Sequence, residues 1–108
     1  MMDAFKDMYD VVVDRRANPQ EGSYTCYMFD KGIDKIIKKC GEECTEMVIA
    51  AKNSDKDELA NEINDLLYHM IVMMVDRGVT VEDIEKIMVE RSKKIGNLKQ
   101  FHVSDHNT

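Results

Sequence analysis

The sequence predicts an all-α protein, a compact bundle of about five helices in a single domain. Three observations carry that expectation. Helix breakers are scarce, with one proline and five glycines in 108 residues. Apolar residues recur every three or four positions, the period of a helix face rather than of a strand. The segments patterned in this way are joined by short polar links, which set successive helices antiparallel. The length suits one domain with one core, spanning residues 1–108, with a tail from about residue 96 that reads as irregular.

The first helix is expected over about residues 3–16, with Phe5, Met8, Tyr9, Val12 and Val13 on one side. "RRANPQEG" closes it in a loop marked by Pro19 and Gly22. Ser23 stands where it can cap a short helix, "YTCYMFDK", which Gly32 stops. The third helix is expected from about 34 to 52. Its apolar stripe is Ile33, Ile36, Ile37, Cys40, Cys44, Met47, Val48 and Ala51. "NSDKD" interrupts the pattern, and Ser54 with Asp57 resembles a capping box in which Asp replaces the usual Glu. The fourth helix, about 55 to 77, carries Leu59, Ile63, Leu66, Leu67 and Met70 and ends at Gly78. Thr80, with Asp83 three residues later, opens a fifth helix that reaches about Lys94.

Residues 70–75, "MIVMMV", are apolar on every side, and Val72 and Val75 lie off the main stripe. A helix apolar all round is buried all round. A chain this small has little interior to offer, so the expectation is a homodimer joined partly through this stretch, with a tetramer as the next assembly.

Composition narrows the function. Hydrophobic residues make up 44% and charged residues 33%, a globular balance. The formal net charge is −6, which disfavours nucleic acid as a partner and suits a protein that holds cations. No stretch approaches the ~18–20 apolar residues of a membrane span. "MMDAFKDMYD" is charged from its third residue and does not read as a signal peptide. Three cysteines, odd in number and without zinc-type spacing, read as reduced thiols of a cytoplasmic protein, with Cys40 and Cys44 in the core.

"GEECTE", residues 41–46, works against the helix that contains it. Glu42 and Glu46 are four apart and Glu43 and Glu46 three apart, so each pair repels by about 0.2–0.5 kcal/mol. Gly41 costs about 1 kcal/mol more relative to alanine. At about 100° per residue, Glu43 lies at the edge of the apolar stripe, Glu46 just beyond it and Glu42 nearly opposite the core. Lys39 sits one turn before Glu43 on the same edge. On the fourth helix Glu58, Glu62, Asp65 and His69 form a line spaced four, three and four, which also borders the apolar stripe.

Two antiparallel helices packed through their stripes bring Glu43 and Glu46 against Glu62 and Asp65. Four carboxylates so placed cannot all stay ionised without a cation. A run of charge is more often a solvated face, and either motif alone is weak. Their pairing on consecutive helices, both beside the core, points to a site. Ligands that are all oxygen suit Mg²⁺ or Mn²⁺ and disfavour zinc. A ferritin-like di-iron site would need Glu-x-x-His on two helices, and the chain has no such pair. Mg²⁺ held by carboxylates usually bridges to substrate phosphates, which implies chemistry at phosphorus with a metal-activated water.

Other residues carry weaker signals. Lys38 and Lys39 are candidates to meet phosphates, Lys39 the better because it shares the carboxylate edge. Tyr24 and Ser23 are candidates to line a nucleotide pocket, although Ser23 serves equally well as a plain cap. Arg15 and Arg16 suit a second phosphate, or simply the negative end of a helix. His69 either supports a ligand through an outer-shell bond or lies at the surface. His102 and His106 in the tail read as incidental.

Residues 23–69 carry "SYTCYMFDKGIDKIIKKCGEECTEMVIAAK" and then "ELANEINDLLYH". This resembles the phosphoribosyl-ATP pyrophosphohydrolases of histidine biosynthesis, within the all-α, MazG-like nucleotide pyrophosphohydrolases. That superfamily is marked by Glu-x-x-Glu, a spacer and Glu-x-x-Asp, matched here by Glu43, Glu46, Glu62 and Asp65. "SYT", "KK-x-GEE-x-x-E" and "DLLYH" narrow the resemblance to the one family, over nearly the whole chain. It departs at Phe29, after Met28 where leucine is usual, and at Asn64 in place of a common alanine.

The resemblance implies hydrolysis of the α–β phosphoanhydride of N1-(5-phosphoribosyl)-ATP to phosphoribosyl-AMP and pyrophosphate. It implies Mg²⁺ on Glu43, Glu46, Glu62 and Asp65, with Glu42 as an outer partner or the base that activates water. It implies the monofunctional form, since no cyclohydrolase domain accompanies the chain. Two other readings remain open: a house-cleaning nucleoside triphosphate pyrophosphohydrolase of the same fold, and a non-catalytic acidic helical adaptor.

Overall fold

The computed structural model describes residues 3–94. They form five helices: α1 Asp3–Ala17, α2 Tyr24–Lys31, α3 Ile33–Lys52, α4 Lys56–Arg77 and α5 Val81–Ser92. The irregular tail expected from residue 96, with His102 and His106, lies outside the described residues. No described helix is long and apolar enough to cross a membrane.

Local chemistry sets the helix ends. The Ser23 side chain accepts the Cys26 amide at 3.2 Å and opens α2. Gly32, at φ +93°, ends it and begins α3 without an intervening loop. At the end of α4, Gly78 takes the left-handed conformation and the Val79 amide reaches back to the Met74 carbonyl at 2.8 Å, a Schellman closure. Thr80 and Asp83 make a full capping box at α5. Hydrogen bonds from the Thr80 backbone and side chain hold the Asp83 carboxyl below the usual carboxylate range. The stability this adds is present above the ordinary aspartate pKa and fades as pH falls through the lowered one. The cap of α4 differs from expectation. Asp55, not Ser54, accepts the Glu58 amide at 3.1 Å, and Ser54 turns the chain at φ +60°.

α4 lies at the centre. Its Ile71, Val72, Met74 and Val75 meet Tyr9 and Val12 of α1, Met28 of α2, Ile36 of α3 and Val81 of α5 in one core. α3 and α4 share the largest helix–helix contact, and α1 packs on α4 next. Two long-range bonds tie α1 to the far end of α4. Tyr9 donates its hydroxyl to the Val79 carbonyl at 2.9 Å, and Arg16 donates to the Val75 carbonyl at 2.9 Å while lying over the Phe29 ring.

This arrangement corrects several expectations. Val72 is 0% and Val75 7% exposed within the single chain. They fill its own core, so "MIVMMV" is not left to a partner, and a charge at Val72 would attack the core rather than a seam. The reason is that α1, α2, α3 and α5 all pack around α4, giving it more than one buried side. The apolar stripe of α3 is buried on only one flank: Ile36 and Ala50 are inside, whereas Ile37, Cys44, Val48 and Ala51 are exposed. Cys44 is therefore not a core thiol, and Cys26 and Cys40 are half-buried. On α4 Ile63 and Met70, and on α1 Met8 and Val13, likewise reach solvent.

Candidate functional site

The α3–α4 pairing brings Glu43, Glu62 and Asp65 together. One carboxylate oxygen from each lies within 4.8 Å of the others. Glu43 is only 7% exposed, because α3 turns it toward α4 with Ile36 and Ala50 and not toward the edge. Oε2 of Glu43 and Oε1 of Glu62 are buried without a hydrogen-bond partner. A buried oxygen left unpaired costs about 1–3 kcal/mol, more when charged. Burial pushes the Glu62 carboxyl above the usual carboxylate range, and the charges of Glu46, Asp65, Glu43 and Glu58 push it further. Two buried carboxylate oxygens without a partner, in a cluster with a third carboxyl, are consistent with a divalent-cation site.

The remaining predicted residues are distributed around this cluster. Glu46 is the strongest charged influence on Glu62 but lies outside the three-carboxylate group. Glu58, exposed at the start of α4, acts on Glu62 only as a more remote charge. Glu42 points outward, as its angle on the helix requires, and pairs with Lys39 at 3.4 Å. Lys39 also reaches Glu43 at 3.8 Å, so its ammonium sits at the mouth of the cluster. Burial works against that charge, but Tyr24, Glu42 and Glu43 together outweigh it and raise the Lys39 pKa. Lys38 is exposed.

An open cleft of about 820 Å³ lies between the end of α1, the following loop and α2. Arg15, Arg16, Ser23 and Tyr24 line it. Ser23 and Arg16 are also engaged in the fold, the first as a cap and the second on Val75 and Phe29. Tyr27, absent from the residues singled out in the sequence, lines the same cleft and stacks on Tyr24 with centroids 6.0 Å apart. The available signal was its i, i+3 spacing from Tyr24 on a helix. His69 is buried and bonds the Tyr24 hydroxyl at 3.0 Å and the Asp65 backbone carbonyl at 2.8 Å. It is neither a surface residue nor a partner of a ligand carboxylate.

Gly41 stands on the open side of α3, where an added Cβ would meet nothing within 4 Å. Gly41→Ala is therefore expected to stabilise the chain by about 1 kcal/mol through helix propensity, with activity retained. A melt showing no gain, or lost turnover, would mean that substrate or a second copy approaches α3 at this point.

An all-α bundle that converges carboxylates from two helices beside a lysine fits the class that comparison with known proteins identifies, the MazG-like nucleotide pyrophosphohydrolases. The family model described as phosphoribosyl-ATP pyrophosphohydrolase matches residues 5–92. The chain is 51% identical over 98 residues to a phosphoribosyl-ATP pyrophosphatase of Clostridium novyi, covering 91% of this chain and 89% of that one. It is 56% identical over 91 residues to the phosphoribosyl-ATP pyrophosphatase of Streptococcus thermophilus, covering 84% and 88%. It is also 58% identical over 79 residues to the histidine biosynthesis bifunctional protein HisIE of Thermoanaerobacter pseudethanolicus, covering 73% of this chain and 37% of that one. The chain belongs to the phosphoribosyl-ATP pyrophosphohydrolase family. Membership makes it a hydrolase of phosphoribosyl-ATP in histidine biosynthesis.

Proposed function

We propose that the chain breaks the α–β phosphoanhydride of N1-(5-phosphoribosyl)-ATP, releasing pyrophosphate and phosphoribosyl-AMP, with Mg²⁺ or Mn²⁺ held by Glu43, Glu46, Glu62 and Asp65. The observation that carries this is the pair of buried, unpartnered oxygens on Glu43 and Glu62. Bound there, the ion would neutralise the carboxylates and polarise phosphate oxygens and water. The protein's own groups supply the rest. Lys39 meets the phosphate charge at the mouth of the site, with Lys38 further out. Glu42, which points outward and pairs with Lys39, serves as an outer partner that holds Lys39 or as the base that takes the proton of the attacking water. Oxygen from that water joins phosphorus as the bridging P–O bond breaks, and the leaving pyrophosphate departs with its charge met by cations. The cleft lined by Tyr24, Tyr27, Ser23, Arg15 and Arg16 takes the nucleoside end and its second phosphate.

A pyrophosphate-release assay on phosphoribosyl-ATP beside ordinary nucleoside triphosphates tests this reading. Selective turnover of phosphoribosyl-ATP is expected. Equal or greater turnover of common nucleoside triphosphates would replace it with a house-cleaning role. The same reading places the enzyme in the cytoplasm, where its nucleotide substrate is made.

The assembly is proposed to be a homodimer or a pair of dimers. Ile37, Val48 and Ile49 of α3 and Ile63 of α4 are exposed large apolar side chains, and a second copy of the chain would cover them. Val48→Asp is expected to yield a folded monomer. Light scattering that shows the unsubstituted chain already monomeric at micromolar concentration would remove this proposal.

A further inference from the structure

We propose that His69 is a positioning residue: it holds the Tyr24 phenol at the wall of the α1–α2 cleft, and so links the carboxylate helix α4 to the part of the site that takes the nucleoside end of the substrate. The proposal rests on the assignment of the Tyr24 cleft to the substrate made above.

The geometry determines the direction of each bond. The Asp65 carbonyl can only accept, so the His69 Nδ1 that lies 2.8 Å from it carries the proton. In the neutral ring Nε2 is then a bare acceptor, and the Tyr24 hydroxyl 3.0 Å away must donate to it. The ring has little freedom to do otherwise. His69 is 6% exposed. Its plane meets the rings of Tyr24 and Tyr68 edge-on, with centroids 5.7 and 5.1 Å away. Tyr68 is itself held by a hydrogen bond to the Thr25 hydroxyl.

With its proton committed to His69, the Tyr24 oxygen has only lone pairs to offer. It cannot donate to a phosphate. The Tyr24 ring also stacks on Tyr27, with which it lines the cleft. Two hydrogen bonds therefore run from the Asp65 backbone on α4 through His69 to Tyr24 on α2. Tyr24 itself is 44% exposed, so without His69 its hydroxyl would be free to turn to water and the cleft would lose a fixed wall.

The test combines kinetics with a measurement that needs no substrate. His69→Phe keeps the ring and removes both nitrogens, and Tyr24→Phe removes the hydroxyl from a half-exposed side chain. Each is expected to raise KM for phosphoribosyl-ATP by about three- to tenfold, the effect of one hydrogen bond, with kcat close to the unsubstituted value. The double variant should be no worse than either alone, since both remove the same link. His69→Gln, whose amide oxygen can accept from Tyr24, should restore KM. In the protein without substrate, long-range ¹H–¹⁵N NMR should place the His69 proton on Nδ1, and Tyr24→Phe should shift the Nε2 resonance. A proton found on Nε2, additive effects in the double variant, or a lowered melting temperature with unchanged KM would overturn the proposal, the last reducing the bond to a tether between α2 and α4. Failure of the hydrolase assignment would show instead as no turnover of phosphoribosyl-ATP by the unsubstituted chain, and the NMR result would still decide the link.

Discussion

Glu62→Gln is expected to lower kcat/KM for phosphoribosyl-ATP by more than about 100-fold while leaving the metal-free protein as stable as before or slightly more so. Loss of a residue that only supports a metal ligand typically costs about 10–100-fold, and loss of the ligand itself should exceed that. The stability argument has the opposite sign. Glu62 is the carboxyl on which burial and four neighbouring acids converge. Removing its charge relieves that repulsion when no cation is present, and the substituted amide keeps its size. Pyrophosphate release at saturating Mg²⁺ together with a metal-free thermal melt reads both effects. Turnover near that of the unsubstituted chain would show that the assigned cluster does not do the chemistry. A melting temperature that falls sharply would show that the ionised carboxyl supports the fold rather than straining it.

Adding Mg²⁺ is expected to raise the melting temperature substantially. A ligand that binds only the folded state adds about 2.7 kcal/mol at a hundred times its Kd. For a domain of this size that corresponds to a rise on the order of 10–20 °C. The two orphaned oxygens of Glu43 and Glu62 are what the ion would satisfy, so the rise should shrink markedly in Glu43→Gln. A non-hydrolysable substrate analogue together with Mg²⁺ should raise the midpoint further. A melt indifferent to Mg²⁺ up to saturating concentration, with and without nucleotide, would reduce the carboxylates to a solvated acidic face.

The conflict in "GEECTE" resolves in these terms. Glu43 is turned inward against Glu62 and Asp65, whereas Glu42 and Gly41 face out. The glycine meets no neighbour in the single chain, so its cost to the helix is not repaid by close packing there.

The sequence by itself determined the helices, their order and the carboxylate motif. Each depends on neighbours within one or two turns: the 3.6-residue period, the caps at Ser23 and Thr80, the left-handed glycine at 78. The pairing of Glu43 with Glu62 and Asp65 was legible for the same reason, because short links force α3 and α4 to be antiparallel neighbours and spacing places each acid near the contact. What lay beyond local pattern was decided only by tertiary packing. Periodicity identifies an apolar face but not how many neighbours will cover it. α4 sits at the centre and buries Val72 and Val75 against its own chain, while α3, packed on α4 and α2, leaves Ile37 and Val48 in solvent. Helical angle placed Glu43 at the edge of its stripe, and the approach of α4 carried it inside. His69 and Tyr24 are 45 residues apart, and nothing local in either segment marks the bond between them. That bond exists because α2 crosses α4 where the core ends and the carboxylates begin.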